Sequence, residues 1–214
     1  MPCTGRVSLS LSLAESTITR RLKSAFRADR LCASDGWADR GHDAATGDLT
    51  CAAVLMPLVK RAGEWHLLFT HRTDTVEDHK DQVAFPGGTC DSHETAEQTA
   101  VREAGEEIGL RPEDVRILGR LTDQVTITSY RVSPVVGVIP WPYDFRSSPG
   151  EVSRVFTIPL SWLACRDHWV EKDLTPQGFS RPFCVVVYRP YDGEVLWGAS
   201  ARMTLEFLKV VDLL

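Results

Sequence analysis

The sequence predicts a protein of the α/β class, in which strands and helices alternate along the chain. Two observations support this prediction. Apolar runs with strand character lie on both sides of one amphipathic helical segment, and a second amphipathic segment, residues 200–214, ends the chain. At 214 residues, with 43% hydrophobic and 25% charged residues, the chain has the length and composition of one globular domain. The alternation alone is compatible with several α/β architectures.

The elements are expected in the following order. The segment from Ala14 to Arg30 is basic and amphipathic, which predicts a surface helix packed on the domain, and residues 28–50 are polar, which predicts a linker or long loop. We therefore expect an N-terminal extension over residues 1–50 and a globular domain over residues 51–214. Within the domain, residues 152–163 are expected to contain a turn and a short helix, and strand character is found at 51–59, 65–70, 82–85, 115–121, 124–132, 134–139 and 183–189.

Composition and charge exclude several classes of protein. The net charge of −5 provides no basic surface for nucleic acid, and the longest apolar run is about half the length of a membrane span. The six cysteines lack CxxC spacing, so we expect neither a zinc site nor a disulfide framework, and reduced thiols are favoured. We therefore expect a cytoplasmic protein without nucleic-acid or membrane partners. A mitochondrial presequence is the alternative for the basic N-terminal segment.

The strongest functional signal lies between Gly88 and Leu110. Glu103, Glu106 and Glu107 stand at positions i, i+3 and i+4. A helix would project these three carboxylates from one side, where they could hold a hard divalent cation. A glycine-rich turn at residues 85–88 leads the chain toward this helix. A metal site beside a flexible loop is suited to chemistry on phosphates.

The helix that carries the glutamates is predicted from its two ends. Thr95 and Gln98 have the spacing of a capping box at the start. Gly109 fits the left-handed position that follows the last helical turn. Between these ends, the helical projection places a core-facing stripe at Val101, Ala104 and Ile108.

The order of these residues resembles the Nudix box, Gly-x5-Glu-x7-Arg-Glu-U-x-Glu-Glu-x-Gly-U, where U is aliphatic. The matching residues are Gly88, Glu94, Arg102, Glu103, Glu106, Glu107, Gly109 and Leu110. The resemblance implies a Nudix hydrolase with an α/β/α sandwich built on a mixed β-sheet. Such an enzyme uses Mg²⁺ or Mn²⁺ to let water cleave a nucleoside diphosphate that is linked to another group.

The same resemblance implies roles for individual residues. Glu103, Glu106 and Glu107 would be catalytic metal ligands, and Arg102, paired with Glu94, would orient the glutamates for catalysis. The substrate would be a small nucleotide. By analogy with the family, a homodimer is also expected.

Segments outside the box resemble the coenzyme A diphosphatase branch of the family. They include residues 67–72 (LLFTHR), residues 79–88 (HKDQVAFPGG), Thr126-x-Thr128-x-Tyr130 and Glu151-Val152. The branch implies hydrolysis of coenzyme A or acyl-CoA to adenosine 3′,5′-bisphosphate and (acyl-)4′-phosphopantetheine. The substrate-binding residues implied are Arg72, Gly87, Gly88, Thr128 and Tyr130. For Arg72 the alternative is a surface ion pair. Glu151 is either a loop carboxylate that acts as a base or metal ligand, or a surface acid without a role in the reaction.

Two positions depart from the pattern of that branch. Glu77 stands where a basic residue is usual, and Asp81 stands where glycine is usual. Both place negative charge near the expected anion site, so a different nucleotide, such as ADP-ribose, a dinucleotide or a modified nucleoside triphosphate, is an alternative substrate. A Nudix-fold module that binds a nucleotide without cleaving it is a further alternative. Such modules commonly lose a box glutamate, and all are retained here.

Overall fold

The computed structural model describes residues 13–29, 49–73, 82–175 and 183–214. The helices are α1 (Glu15–Asp29), α2 (Ala96–Ile108), α3 (Leu160–Leu163) and α4 (Gly198–Val210), with short 3₁₀ helices at Pro112–Asp114 and Arg166–His168. The strands are β1 (Thr50–Arg61), β2 (Glu64–Arg72), β3 (Val83–Ala84), β4 (Gly87–Thr89), β5 (Arg116–Arg120), β6 (Gln124–Val125), β7 (Tyr130–Val138), β8 (Val152–Pro159), β9 (Trp169–Leu174) and β10 (Phe183–Tyr188).

The strands of the described residues form one large mixed sheet and one small antiparallel sheet. The large sheet has the order β3-β2-β1-β7-β5, with β4 paired to β1, β6 to β7 and β8 to β2. Strands β1 and β7 run parallel, with Leu55 opposite Val135, and the other pairs are antiparallel. Strands β9 and β10 form the small sheet. The predicted mixed sheet is confirmed.

Alternate residues of β1 face two different layers of the core. Ala53, Leu55 and Val59 pack in the cluster that contains the buried face of α2. Met56 and Leu58 pack in the cluster that contains buried residues of α1 and α4. Strand β1 is therefore an almost continuous apolar run because helices cover both faces of the sheet. This helix–sheet–helix layering confirms the α/β/α sandwich.

Helix α1 is packed against the rest of the protein. Ile18 and Leu22 are fully buried, and each stabilises the fold by about 1.5–3 kcal/mol. Leu22 lies against Gly119 of β5, where a Cβ would come within 3.0 Å of the leucine Cβ. The indole N–H of Trp65 donates to the carbonyl of Leu13 at 2.7 Å. The predicted packing of the N-terminal helix is confirmed.

The boundary between an extension and a domain at residue 50 stays a prediction. The linker expected at residues 28–50 lies mostly outside the described residues. None of the described helices has the length and apolar character needed to cross a membrane.

Helix α2 begins and ends as predicted. The Thr95 hydroxyl accepts from the Gln98 backbone N–H at 3.3 Å, and the Gln98 side chain accepts from the Thr95 N–H at 2.8 Å. This reciprocal capping box satisfies two backbone donors of the first turn. Gly109 ends the helix with φ 68°, in the left-handed region where glycine avoids Cβ strain.

The buried stripe of α2 differs from the prediction at one position. Ala104 and Ile108 are fully buried, as expected, but Val101 is only half-buried. Ala100 is fully buried instead. The three buried residues at i, i+4 and i+8 follow one helical ridge, and packing on β1 selects this ridge rather than the neighbouring one.

Two strand assignments are corrected by the structure. The single strand expected at 124–132 is interrupted, because the Thr126 hydroxyl accepts from the Tyr130 N–H at 3.2 Å and closes a turn in which Ser129 has φ 62°. The range 152–163 begins with strand β8 rather than a turn, and only its short helix, α3, is as predicted. Strand β9 was not predicted from the sequence, and its residues WVEKDL include three charged side chains.

The prediction of reduced thiols is wrong at one position. Cys165 is disulfide-bonded, whereas Cys51, Cys90 and Cys184 are free. Disulfide formation depends on the distance between two Cα atoms in the folded chain. The spacing of the cysteines along the sequence does not reveal that distance.

Candidate active site

Two glycines of strand β4, which precedes α2, allow the site to form. A Cβ on Gly88 would lie 2.5 Å from the carboxyl carbon of Glu103, so glycine leaves room for this carboxylate. A Cβ on Gly87 would lie 2.4 Å from the carbonyl oxygen of Ala53, the strand residue beside the one it pairs with. The backbone thus lies close to the glutamate at Gly88 and close to β1 at Gly87.

Arg102 joins the start of the box to its glutamates. Its Nε and Nη2 atoms donate to the two carboxylate oxygens of Glu94 at 2.8 and 3.0 Å. Its Nη1 atom donates to Glu103 at 2.8 Å and to Glu106 at 3.3 Å. The hydrogen bonds from Arg102 are the main cause that lowers the pKa of Glu94 to about 2. The expected pairing of Arg102 with Glu94 is present, and their catalytic roles stay predictions.

Glu107 is the buried carboxylate of the site, with 3% of its surface exposed. Arg72 donates from Nη1 to one carboxylate oxygen at 3.1 Å, and the Gly87 N–H donates to the other at 3.3 Å. Burial raises the pKa of Glu107 to about 7, opposed by Arg72 and the Gly87 N–H and reinforced by Glu151 and Glu103. Arg72 and the Gly87 N–H therefore compensate only part of the cost of burying this charge.

The side chains of the three box glutamates lie in different settings, and their role as metal ligands stays a prediction. Among the described residues, no three His, Cys, Asp or Glu side chains are close enough together to hold a metal ion. The Glu106 side chain is 60% exposed, whereas Glu107 points into the interior. Neighbouring helical positions are rotated by about 100°, so these two side chains leave the helix in different directions.

The donor chemistry nevertheless fits a hard divalent cation. Glu103, Glu107 and Glu151 provide carboxylate oxygens, which Mg²⁺ and Mn²⁺ prefer. The space that Gly88 leaves for the Glu103 carboxylate and the charge deficit at Glu107 both suit a cation. Glu103 and Glu107 would hold the cation, with Glu106 sharing or replacing one ligand.

The other predicted substrate-binding residues lie in different settings. Thr128 has its hydroxyl 2.9 Å from that of Thr126 in the turn after β6, and Tyr130 begins β7 and packs against the apolar core. Neither contact involves a box glutamate, so the substrate-binding role of both residues rests on the resemblance. Glu77 and Asp81 lie outside the described residues.

The sequence did not decide two features of the site, the position of Glu151 and the partner of Arg72. The sequence left Glu151 as either a site carboxylate or a surface acid, and the structure places it close enough to Glu107 to raise the pKa of that residue. The pairing of Arg72 with Glu107 was not foreseen, because 35 residues separate the partners. The packing of α2 on β1, which pairs with β2, brings them together.

Comparison with known families decides the identity of the chain. The profile of the NUDIX domain matches residues 49–178, which is more than half of the chain. The chain belongs to the Nudix family. The matched range contains the whole box as well as Arg72 and Glu151.

Relatives of this Nudix protein agree with the assignment. The uncharacterized Nudix hydrolase NudL of Escherichia coli strain K12 is 37% identical over 156 residues, covering 72% of this chain and 79% of the relative. The protein of the same name from Citrobacter koseri has the same identity and coverage. A MutT/nudix family protein from Enterococcus faecalis superposes with a TM-score of 0.51 at 14% identity, covering 92% of this chain and 73% of that chain, which shows the fold alone. The protein is therefore a Nudix hydrolase, an enzyme that acts on nucleotide diphosphates.

Proposed function

We propose that this Nudix hydrolase cleaves the diphosphate of coenzyme A or acyl-CoA, which yields adenosine 3′,5′-bisphosphate and (acyl-)4′-phosphopantetheine. The observation that carries this proposal is the environment of Glu107, which three residues outside the box influence. Arg72, Gly87 and Glu151 come from three separate segments that resemble the coenzyme A diphosphatase branch, and all three act on this one carboxylate. The segments outside the box thus contribute to the same site as the box.

The residues of the site have complementary tasks in this reaction. A Mg²⁺ or Mn²⁺ ion held by Glu103 and Glu107 would neutralise the diphosphate and acidify a bound water. Arg102 holds Glu103 and Glu106 in fixed orientations through its Nη1 atom. The Arg72 guanidinium carries the positive charge and the donors that phosphate oxygens require.

Glu151 is the candidate acceptor for the proton of the attacking water. It lies close enough to Glu107 to raise the pKa of that carboxyl, yet it is exposed to solvent. The water oxygen then bonds to one phosphorus of the diphosphate, and the bond from that phosphorus to the bridging oxygen breaks. The second phosphate leaves with the bridging oxygen.

A second candidate function is hydrolysis of another nucleotide, such as ADP-ribose, a dinucleotide or a modified nucleoside triphosphate. Glu77 and Asp81 favour it, because negative charge near the anion site would disfavour the additional 3′-phosphate of coenzyme A. A homodimer and a cytoplasmic location also stay predictions.

The proposal is tested by incubating the full chain with each compound and Mg²⁺ or Mn²⁺, followed by mass analysis of the products. Coenzyme A should yield adenosine 3′,5′-bisphosphate faster than ADP-ribose or a dinucleotide is consumed. If coenzyme A is untouched while another nucleotide is cleaved, the second candidate replaces the first. If no compound is cleaved and a nucleotide binds equally well to wild type and Glu107→Gln, the protein is a binding module.

A further inference from the structure

Arg72 contacts one of the two carboxylate oxygens of Glu107. Its Nη1 atom lies 3.1 Å from Oε1 of Glu107, and the arginine side chain is only 22% exposed. Two opposite charges attract more strongly where the surrounding dielectric is low, so this pair is stronger than an exposed surface pair. A metal ion that binds the same carboxylate must compete with the guanidinium.

The guanidinium of Arg72 is not fully used in this contact. Its Nε atom is buried and has no hydrogen-bond partner in the part of the chain that the structure describes. A buried donor without an acceptor is unfavourable, so an anionic ligand that supplies one gains affinity. The pairing of β2 with β8 shifts register between His71 and Arg72, and such a bulge re-aims the side chain beside it.

The surroundings of Glu107 favour a cation with higher charge than an arginine. Glu103 and Glu151 both act on Glu107 with negative charge, whereas Arg72 contacts Glu107 and Arg102 contacts Glu103. Three carboxylates thus face two guanidinium groups, one of which also pairs with Glu94. A divalent cation carries two positive charges on one small centre and binds carboxylate oxygens directly. It therefore neutralises this group of acids better than the guanidinium does.

We infer that Arg72 holds Glu107 only in the cation-free protein, that a divalent cation displaces it, and that the released guanidinium then binds the diphosphate of the substrate. The last step rests on the proposed function. Arg72 would thereby couple the two ligands, because the cation that releases it also creates a binding partner for phosphate. Positive cooperativity between cation and nucleotide follows from this exchange.

Manganese binding tests the first step without any nucleotide. The full-length wild type and Arg72→Gln are titrated with Mn²⁺ at pH 8.5, and free Mn²⁺ is followed by electron paramagnetic resonance. Loss of the competing charge should tighten Mn²⁺ binding about tenfold in Arg72→Gln. Arg116→Gln is the matched control, since it removes an arginine that pairs with Glu15 at 2.7 Å outside the site, and it should bind Mn²⁺ like wild type.

Nucleotide binding tests the second step in the same proteins. The probe is α,β-methylene-ADP, whose bridging carbon prevents hydrolysis, and its affinity is measured at saturating Mn²⁺. Arg72→Gln should bind the probe about tenfold more weakly, because a charge-assisted bond to phosphate is lost. A substitution that tightens metal binding and weakens nucleotide binding cannot be explained by general damage to the fold. Unchanged or weaker Mn²⁺ binding by Arg72→Gln overturns the inference, and so does unchanged probe binding.

Wild-type crystals soaked in Mn²⁺ alone provide a test that needs no variant to fold. The Arg72 guanidinium should leave Glu107 in these crystals, and a retained contact beside bound Mn²⁺ overturns the inference. These outcomes are separate from the substrate assay. A protein that leaves coenzyme A intact but shows the opposite changes in metal and probe affinity loses the proposed substrate and keeps the role of Arg72.

Discussion

The two arginine–glutamate pairs of the site place the same chemical groups in contact, yet their carboxyl groups have opposite pKa shifts. Glu94 accepts hydrogen bonds from two nitrogen atoms of Arg102, and the pKa of Glu94 falls to about 2. Glu107 accepts one bond from Arg72 in the interior, and its pKa rises to about 7. Burial and the number of donors therefore decide the preferred charge state of each carboxyl, and the presence of an arginine alone does not.

This difference indicates different tasks for the two ends of the site, which are the Glu94–Arg102 pair and the Glu107–Arg72 pair. Glu94 stays ionised at any physiological pH, so its pair with Arg102 is suited to holding other side chains in place. Glu107 is poorly neutralised, so it has the most to gain from a cation. The contrast predicts that changes at the Glu107 end affect catalysis most.

The largest effect is expected for Glu107→Gln. Loss of a charged metal ligand should lower kcat by about a thousandfold in a coenzyme A assay with Mg²⁺. Glu113→Gln, which removes an exposed glutamate beyond the end of α2, is the matched control and should keep wild-type activity. Near-normal turnover by a folded Glu107→Gln protein would refute the prediction that Glu107 is essential for catalysis.

A smaller loss is expected for Arg102→Lys. The lysine ammonium keeps the charge but cannot contact Glu94, Glu103 and Glu106 together as the planar guanidinium does. We expect kcat to fall by about 10- to 100-fold, the range seen when a group that orients ligands is lost. Steady-state kinetics and a thermal melt of the variant measure this effect. A fall as large as that of Glu107→Gln would contradict the division of tasks.

The smallest effect is a change in stability that depends on pH. The pKa of Glu94 is lower in the folded protein than the ordinary value of 4.5, so its stabilising effect is complete above that value and is lost as pH falls toward about 2. Glu94→Gln should therefore unfold at slightly lower urea concentration than wild type at pH 7. The gap between the two midpoints should narrow as pH decreases from 4.5 toward 3. A gap that does not vary with pH would show that the charge of Glu94 does not stabilise the fold.

Local chemistry made much of the fold predictable from the sequence. The capping box of Thr95 and Gln98 and the left-handed Gly109 define the ends of α2 through contacts between residues close in the chain. The contact of Arg102 with Glu94 spans eight residues, most of them in the same helix, so the box spacing could anticipate it. Assignments failed where local alternatives compete, as in the turn that Thr126 closes within an expected strand.

The sequence by itself determined the helix that carries the glutamates, because periodicity and caps depend on neighbours along the chain. The spacing of the box residues indicated the family, and the sandwich architecture was implied by that resemblance. The tertiary structure alone decided that Glu107 is buried while Glu106 is exposed, and that Arg72 is the partner of Glu107. Those outcomes depend on which ridge of α2 packs on β1 and on which strands lie side by side. Burial sets the electrostatics of the site, and burial exists only once distant segments have packed together.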